Sequence, residues 1–427
     1  MKETLQKTKE KAKKFFKMLG PGFITGASDD DPSGIATYSQ TGAQFGYQQL
    51  WTAVFSFPFM TVVQEMCGRI GLVTGNGISG VIRKHYSPKL LYFSVLLLFI
   101  ANTINIGANL GAMASSAQML VNLPFALWLI IMVALSLVVQ VFVSYPAYSK
   151  VLKYLTLSLL AYVVTLFVVK QDWTAILTAT FLPSFSFSKA YLMNIVAILG
   201  TTISPYLFFW QADEEVEEEI EAGKISAIGR GKPALNIRSI KKMRKDTVIG
   251  MLLSNLIMFF IIATTASTLH LNGISNIETA TDAAKALQPL AGNFAFLLFA
   301  VGIIGSGFLA VPILAGSASY ALSEAIGWRA GLSKKFSKAH GFYGVIAFAT
   351  VIGVVVNFTP IKPFQMLYYT AVLNGIISPI LMVIILLICN NKKIMGNYTN
   401  SPFSNIMGWI IALIMGISSL ALIISLF

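Results

Sequence analysis

The sequence predicts an all-α integral membrane protein built as an inverted repeat of 5+5 helices with an eleventh helix appended. Three observations predict it. The 427 residues are 56% hydrophobic and only 11% charged, whereas a soluble domain carries about 25% charged residues. Apolar runs of membrane-spanning length, about 20 residues, recur eleven times. The first and the sixth of these runs are interrupted by proline, glycine and polar residues, five spans apart.

The spans are expected at 18–44, 49–72, 90–119, 124–144, 147–169, 191–212, 246–270, 289–325, 341–358, 363–389 and 405–427, the eighth including an amphipathic lead-in. Repeat one covers about 18–169, repeat two about 191–389, and the extra helix 405–427, in a single polytopic domain after a basic tail at 1–17. That tail lacks the apolar core of a cleavable leader, so the first span is expected to be retained.

The net charge of +13 is gathered in alternate loops. The N-terminal tail is rich in lysine. Arg83, Lys84 and Lys89 follow span two, eight bases from Lys224 to Lys245 follow span six, Arg329, Lys334, Lys335 and Lys338 follow span eight, and Lys392 and Lys393 follow span ten. The intervening loop at 170–190 has only Lys170 and Lys189. Basic loops stay in the cytoplasm, so a cytoplasmic N-terminus and an external C-terminus are expected. The basicity is therefore a signal of orientation in a cell membrane, plasma or inner, rather than of nucleic-acid binding.

Span one contains "TGASDDDPSGIATY", residues 25–38. Pro32 removes a backbone donor and clashes with the preceding turn, and Gly26 and Gly34 loosen the chain on either side. Unwinding is expected near 29–34. Irregular backbone at membrane depth is tolerated where it lines a cavity or is buried in protein. Acids at that depth usually mark an ion or substrate path. Span six contains "ILGTTISPYLFFWQ", residues 198–211, with Gly200, Thr201, Thr202, Ser204 and Pro205 inside an apolar run. Paired interrupted helices in corresponding positions point to a secondary transporter with its site at the midplane. A carboxylate from Asp31, with carbonyls and hydroxyls around it, makes a hard oxygen site suited to a cation.

At these residues the chain resembles the Nramp family of divalent-metal transporters, whose first broken helix carries D-P-G-N and whose sixth carries A-x-x-M-P-H. The stretches here read "DPSG" (31–34) and "TISPY" (202–206), and "TGAQFGY" (41–47) and "VQEMCGRIGLVTG" (63–75) also resemble family segments. The resemblance implies a LeuT-like fold. Carried over by position, it implies Asp31 as the metal aspartate and the carbonyls of Ser28 and Thr201 as ligands. It also marks departures: Gly34 stands for the family's asparagine, Ser204 for its methionine, Tyr206 and Gln211 for its histidines, and Asn105 and Ala108 for the acidic pair of span three. This pattern is closest to the Nramp-related magnesium transporter branch. Asp30 and Asn374 complete the expected metal set, Asn374 because its helix borders the cavity in related transporters.

Other polar residues have two readings each. Asn102, Asn105 and Asn109 recur at helical spacing on span three and either bond between helices or line the ion path. Glu65 pairs with Arg69 at i+4 more readily than it carries protons. The acidic run from Asp213 to Glu221 reads as a solvated helical extension balanced by the bases after it, with metal collection as the sharper alternative. Cys67, Cys389 and the three histidines form no metal-ligand cluster by spacing.

The expected function is import of divalent cations, Mg²⁺ first and Mn²⁺ second, by uniport without proton coupling. The positions where family members titrate are neutral here, and a negative-inside potential supplies about 2.3 kcal/mol per charge per 100 mV. The alternatives are a proton-coupled Mn²⁺/Fe²⁺ importer and an organic-solute, amino-acid-type transporter on the same scaffold. An enzyme is not expected, since no nucleophile–base set is visible. Neither a cofactor, a nucleic-acid partner nor an obligatory protein partner is expected. The partners are the metal ion and the lipid bilayer.

Overall fold

A computed structural model describes residues 20–142, 156–231, 233, 235–334 and 336–425. The first half opens with two short helices in line, α1 (Pro21–Asp29) and α2 (Pro32–Phe45), followed by α3 (Trp51–Thr74), α4 (Ile78–His85), α5 (Pro88–Leu120), α6 (Phe125–Phe142) and α7 (Leu160–Val168). A connecting helix α8 (Trp173–Phe181) leads to the second half. That half begins with another in-line pair, α9 (Lys189–Thr202) and α10 (Pro205–Glu221). It continues with α11 (Ile237–Thr268), α12 (Ala295–Ile326), α13 (His340–Gly353) and α14 (Pro363–Asn390). The last helix is α15 (Pro402–Ile424). Eight helical stretches among the described residues are long and apolar enough to cross a membrane. The broken pair α1/α2 and the helix α3, which carries Gln64, Glu65 and Arg69, fall outside that set.

Both expected breaks are present. Asp30 and Asp31 leave helical geometry between α1 and α2, and Ile203 and Ser204 do so between α9 and α10. Each second segment opens on proline at its first position, where a missing N–H costs nothing. The lead-in to span eight is a series of short turns over 280–294 before α12.

The spans differ from expectation in three places. The seventh begins at Ile237, so Lys241, Lys242, Arg244 and Lys245 are helical rather than loop residues. At 32 residues α11 is about 48 Å long, well beyond a hydrocarbon core of about 30 Å, and its basic first turns extend past the apolar zone. Stretches expected to be loops fold into α4 and α8. Of span five, 147–155 lie outside the described residues, and the remainder forms a 3₁₀ turn and α7.

Gly26 was expected to loosen α1, but its role is packing. A side chain at Gly26 would overlap the backbone of Gly250 on α11, and one at Gly250 would overlap the Gly22 carbonyl. Small residues let membrane helices approach this closely. The crossing is pinned at its end by Asp246 of α11, whose carboxylate accepts from the amides of Gly20 (2.9 Å), Gly22 (2.8 Å) and Phe23 (3.3 Å). These are orphan donors of the α1 N-terminus. Gly200 of α9 likewise lies against Ala371 and Gly375 of α14.

Gly250→Val is expected to abolish recovery of monodisperse protein on size-exclusion chromatography, because the clash is backbone against backbone. Gly344→Ala on α13, where a methyl group meets nothing within 4 Å, is expected to behave as wild type.

Candidate metal site

The two breaks meet at Gly34. A Cβ placed there would lie 2.9 Å from the Asp29 carbonyl oxygen and 3.5 Å from the Thr201 hydroxyl. Gly34 is thus the contact between the broken helices. Its missing side chain does not leave open space, because the carbonyl of Asp29 closes on it.

Asp31 is the N-cap of α2. Its Oδ1 accepts from the Gly34 amide at 2.8 Å, and its Oδ2 from the Asn109 amide group at 3.3 Å. Asn109 also donates to the Asn105 side chain at 2.9 Å, and Thr370 of α14 donates to the same Asn105 oxygen at 3.3 Å. Of the three span-three asparagines, Asn105 and Asn109 therefore join the Asp31 network. Asn102 bonds between helices instead, to the Leu314 carbonyl at 2.9 Å.

On the other break, Ser204 donates to the carbonyls of Gly200 and Thr201, both at 2.7 Å, and Ser378 of α14 donates to the Ile203 carbonyl at 2.6 Å. Tyr206 reaches across and donates its hydroxyl to the Ser28 carbonyl at 3.0 Å. A carbonyl has two lone pairs, so Ser28 and Thr201 each keep one acceptor site after these bonds.

The remaining aspartates face elsewhere. Ser254 of α11 donates to Asp29 at 2.5 Å and lies 3.4 Å from Asp30. Asp29, Asp30 and Asp31 are all buried. None of them is in an ion pair among the described residues. Three buried carboxylates thus lie together at the centre of the bundle without a basic partner among the described residues, and burying uncompensated charge is costly. Asp31, Ser28, Thr201 and Ser204 come together around the breaks. Asp30 sits on the α11 side with Ser254, and Asn374 is buried on α14 beside Gly375, with no hydrogen bond to Asp31 among the described residues. A cavity of about 230 Å³ lined by Ala36, Gln40, Tyr368 and Tyr369 lies on the side away from the basic loops.

Sequence reasoning missed Ser254 and the bond made by Tyr206. The signal for Ser254 was a polar pair, Ser254–Asn255, inside the apolar stretch "MLLSNLIMFF".

The acidic run differs from its expected solvation. It is helical as far as Glu221, but Asp213, Glu215, Glu217 and Glu219 are buried. Glu217 accepts from Tyr320 (2.9 Å) and Ser333 (2.8 Å), Glu215 from Gln211 (2.9 Å), and Glu219 pairs with Lys224 (2.6 Å). The partners of Glu217 are distant in sequence, whereas those of Glu215 and Glu219 lie four and five residues away. Among the described residues no three His, Cys, Asp or Glu side chains converge on one metal position, which leaves the metal-collecting alternative without support. Glu65 holds Arg69 with both oxygens, at 3.0 and 3.1 Å, and also Arg244 at 2.8 Å.

Residues 22–425 match the family described as Natural resistance-associated macrophage protein-like. The chain belongs to the Nramp family. The divalent metal cation transporter MntH of Caldanaerobacter subterraneus subsp. tengcongensis is 26% identical over 416 residues, covering 94% of this chain and 91% of that protein. The MntH of Deinococcus radiodurans is 25% identical over 404 residues, covering 93% and 87%. Among solved structures, the Eremococcus coleocola manganese transporter superposes with a TM-score of 0.71 at 17% identity, over 94% of this chain and 85% of that one. Inward-facing Mhp1 superposes at 0.55 with 14% identity, over 95% and 90%. The fold of this Nramp chain is accordingly LeuT-like, with broken first and sixth helices.

Ser254→Ala strands a buried carboxylate, and an unmet buried acceptor costs about 1–3 kcal/mol. The variant is expected to unfold at a clearly lower temperature in detergent, with Ser254→Thr recovering most of the loss.

Proposed function

We propose that this Nramp chain transports divalent metal cations through the gap between its two broken helices, with Mg²⁺ as principal cargo and Mn²⁺ carried by the same route. The observation that carries the reading is the trio of buried aspartates with no basic partner among the described residues, one of which, Asp31, caps the helix after the first break, three residues before the Gly34 contact with Thr201. A divalent ion is the missing compensating charge. Asp31 supplies a carboxylate oxygen, and Ser28, Thr201 and Ser204 supply neutral oxygens. Carboxylate, carbonyl and water ligands suit Mg²⁺ and Mn²⁺, whereas a thioether would favour softer metals. Mg²⁺ dehydrates reluctantly and keeps waters, which fits a site where Asp31 is the carboxylate ligand and the other oxygens are neutral.

In this reading the basic loops are cytoplasmic, the C-terminus is external, and transport is uniport down the electrochemical gradient. The doubly paired Glu65 supports the absence of coupling, since both of its oxygens are already engaged by guanidinium groups. The second reading is proton-coupled import of Mn²⁺ or Fe²⁺. It is favoured by the names of the relatives, which are manganese and divalent-metal transporters.

Proteoliposomes decide between the two. Wild type is expected to take up Mg²⁺ and Mn²⁺, and Asp31→Ala is expected to be folded and inactive. Wild-type uptake by a well-folded Asp31→Ala would sink the assignment of the site. Ser204→Met is expected to bind Mn²⁺ and Cd²⁺ more tightly than wild type. With voltage clamped and a pH dye inside, metal entry is expected to leave internal pH unchanged. Acidification that tracks Mn²⁺ entry, with no Mg²⁺ uptake, would replace this reading by the second.

A further inference from the structure

At the end of the bundle that carries the basic loops, α4, the 227–230 turn and the 327–338 loop enclose a cavity of about 540 Å³. Its lining includes Arg83, Lys84, Arg230, Arg329, Lys334 and Lys338, against one carboxylate, Glu324. Glu324 is already engaged, accepting from the amides of Gly77 and Gly80 at 2.8 Å each. None of the six bases is in an ion pair among the described residues.

Orientation in the membrane explains why bases are at this end, but not why six of them surround one concavity. Two are held in place by neutral oxygens, which fix their position without cancelling their charge. Arg83 donates to the Glu324 carbonyl at 3.1 Å, and Lys84 to the Asn76 side chain at 2.6 Å and the Gly229 carbonyl at 3.3 Å. Gly327, at φ +89°, makes room for this arrangement, since a Cβ there would lie 2.8 Å from an Arg83 nitrogen. Burial holds the Lys334 ammonium below its ordinary pKa, and Arg329 and Arg230 add to that while Glu217 opposes it. Trp328 adds a flat aromatic wall.

We propose that this cavity is a binding site for a multiply charged phosphate group. Arginine forks and lysine ammonium groups are the side chains that recognise phosphate. The volume falls in the range of small-molecule sites, about 300–1,000 Å³, and exceeds what a single inorganic phosphate fills. A soluble polyphosphate such as a nucleoside triphosphate and the headgroup of an anionic lipid share this chemistry. The inference is independent of the cargo and of the metal site.

The test uses the full chain purified in detergent, with ATP and pyrophosphate titrated calorimetrically, and in parallel native mass spectrometry with cardiolipin, phosphatidylglycerol or phosphatidylcholine. The variants are Arg230→Ala/Arg329→Ala, both exposed loop residues, and, separately, Lys338→Gln. At least one probe is expected to bind wild type, and the double variant to bind it at least tenfold more weakly, about 1.4 kcal/mol, with an intermediate loss in Lys338→Gln. Binding of ATP or pyrophosphate identifies a soluble ligand; selective retention of cardiolipin or phosphatidylglycerol identifies a lipid. If no probe binds wild type, or if every probe binds folded wild type and variants alike, the site is refuted.

Discussion

The centre of the molecule depends on how four non-helical residues, Asp30 and Asp31 in one half and Ile203 and Ser204 in the other, satisfy their neighbours' backbone. In a low-dielectric interior an unmet amide or carbonyl costs several kcal/mol. Each break is met by side chains. Asp31 caps the helix that follows it, Ser204 folds back on the helix before it, and Ser378 and Tyr206 reach in from elsewhere. The consequence is a backbone that is irregular and yet defined, with carbonyl lone pairs left pointing into the gap. The carboxyl groups that come with this arrangement have no basic partner among the described residues, and oxygens of this kind are ligands for hard cations.

The parts of this design that were legible in the sequence are those written in local chemistry. Proline after a run of acids, or after glycine, threonine and serine, interrupts an apolar stretch in a way that few residues can hide, so both breaks and Asp31 could be located. Asn109 was visible as one of three spaced asparagines, but its bond to Asp31, 78 positions away, was not written in that spacing. Ser254 was not legible as a site residue because its role exists only where α11 crosses α1 over Gly22, Gly26 and Gly250. The same glycine was misread as a point of looseness, since a sequence does not tell a residue that frees the backbone from one that admits another backbone.

The acidic run from Asp213 is the clearest case of composition misleading. A dense set of carboxylates reads as solvent-facing. Here α10 continues the broken sixth helix inward, and burial follows from its place in the bundle. Two of the side chains that make burial tolerable, Tyr320 and Ser333 at Glu217, lie over a hundred positions away. Composition is blind to such partners.

The junction between α1 and α2 has a mechanical side. The amides of Gly34 and Ile35 bond to Asp31 itself, at 2.8 and 3.0 Å, so the first turn of α2 draws nothing from α1. At its far end α1 is clasped by Asp246 and wedged against Gly250 of α11, while α2 is wedged through Gly42 against Ile262 and Ala266 further along the same helix and is tethered through Gln40 to the Ile277 amide at 2.8 Å. The two segments are thus mounted end to end on one beam, α11, with Asp31 as the joint between them, so a displacement of that beam acts on both sides of the joint at once.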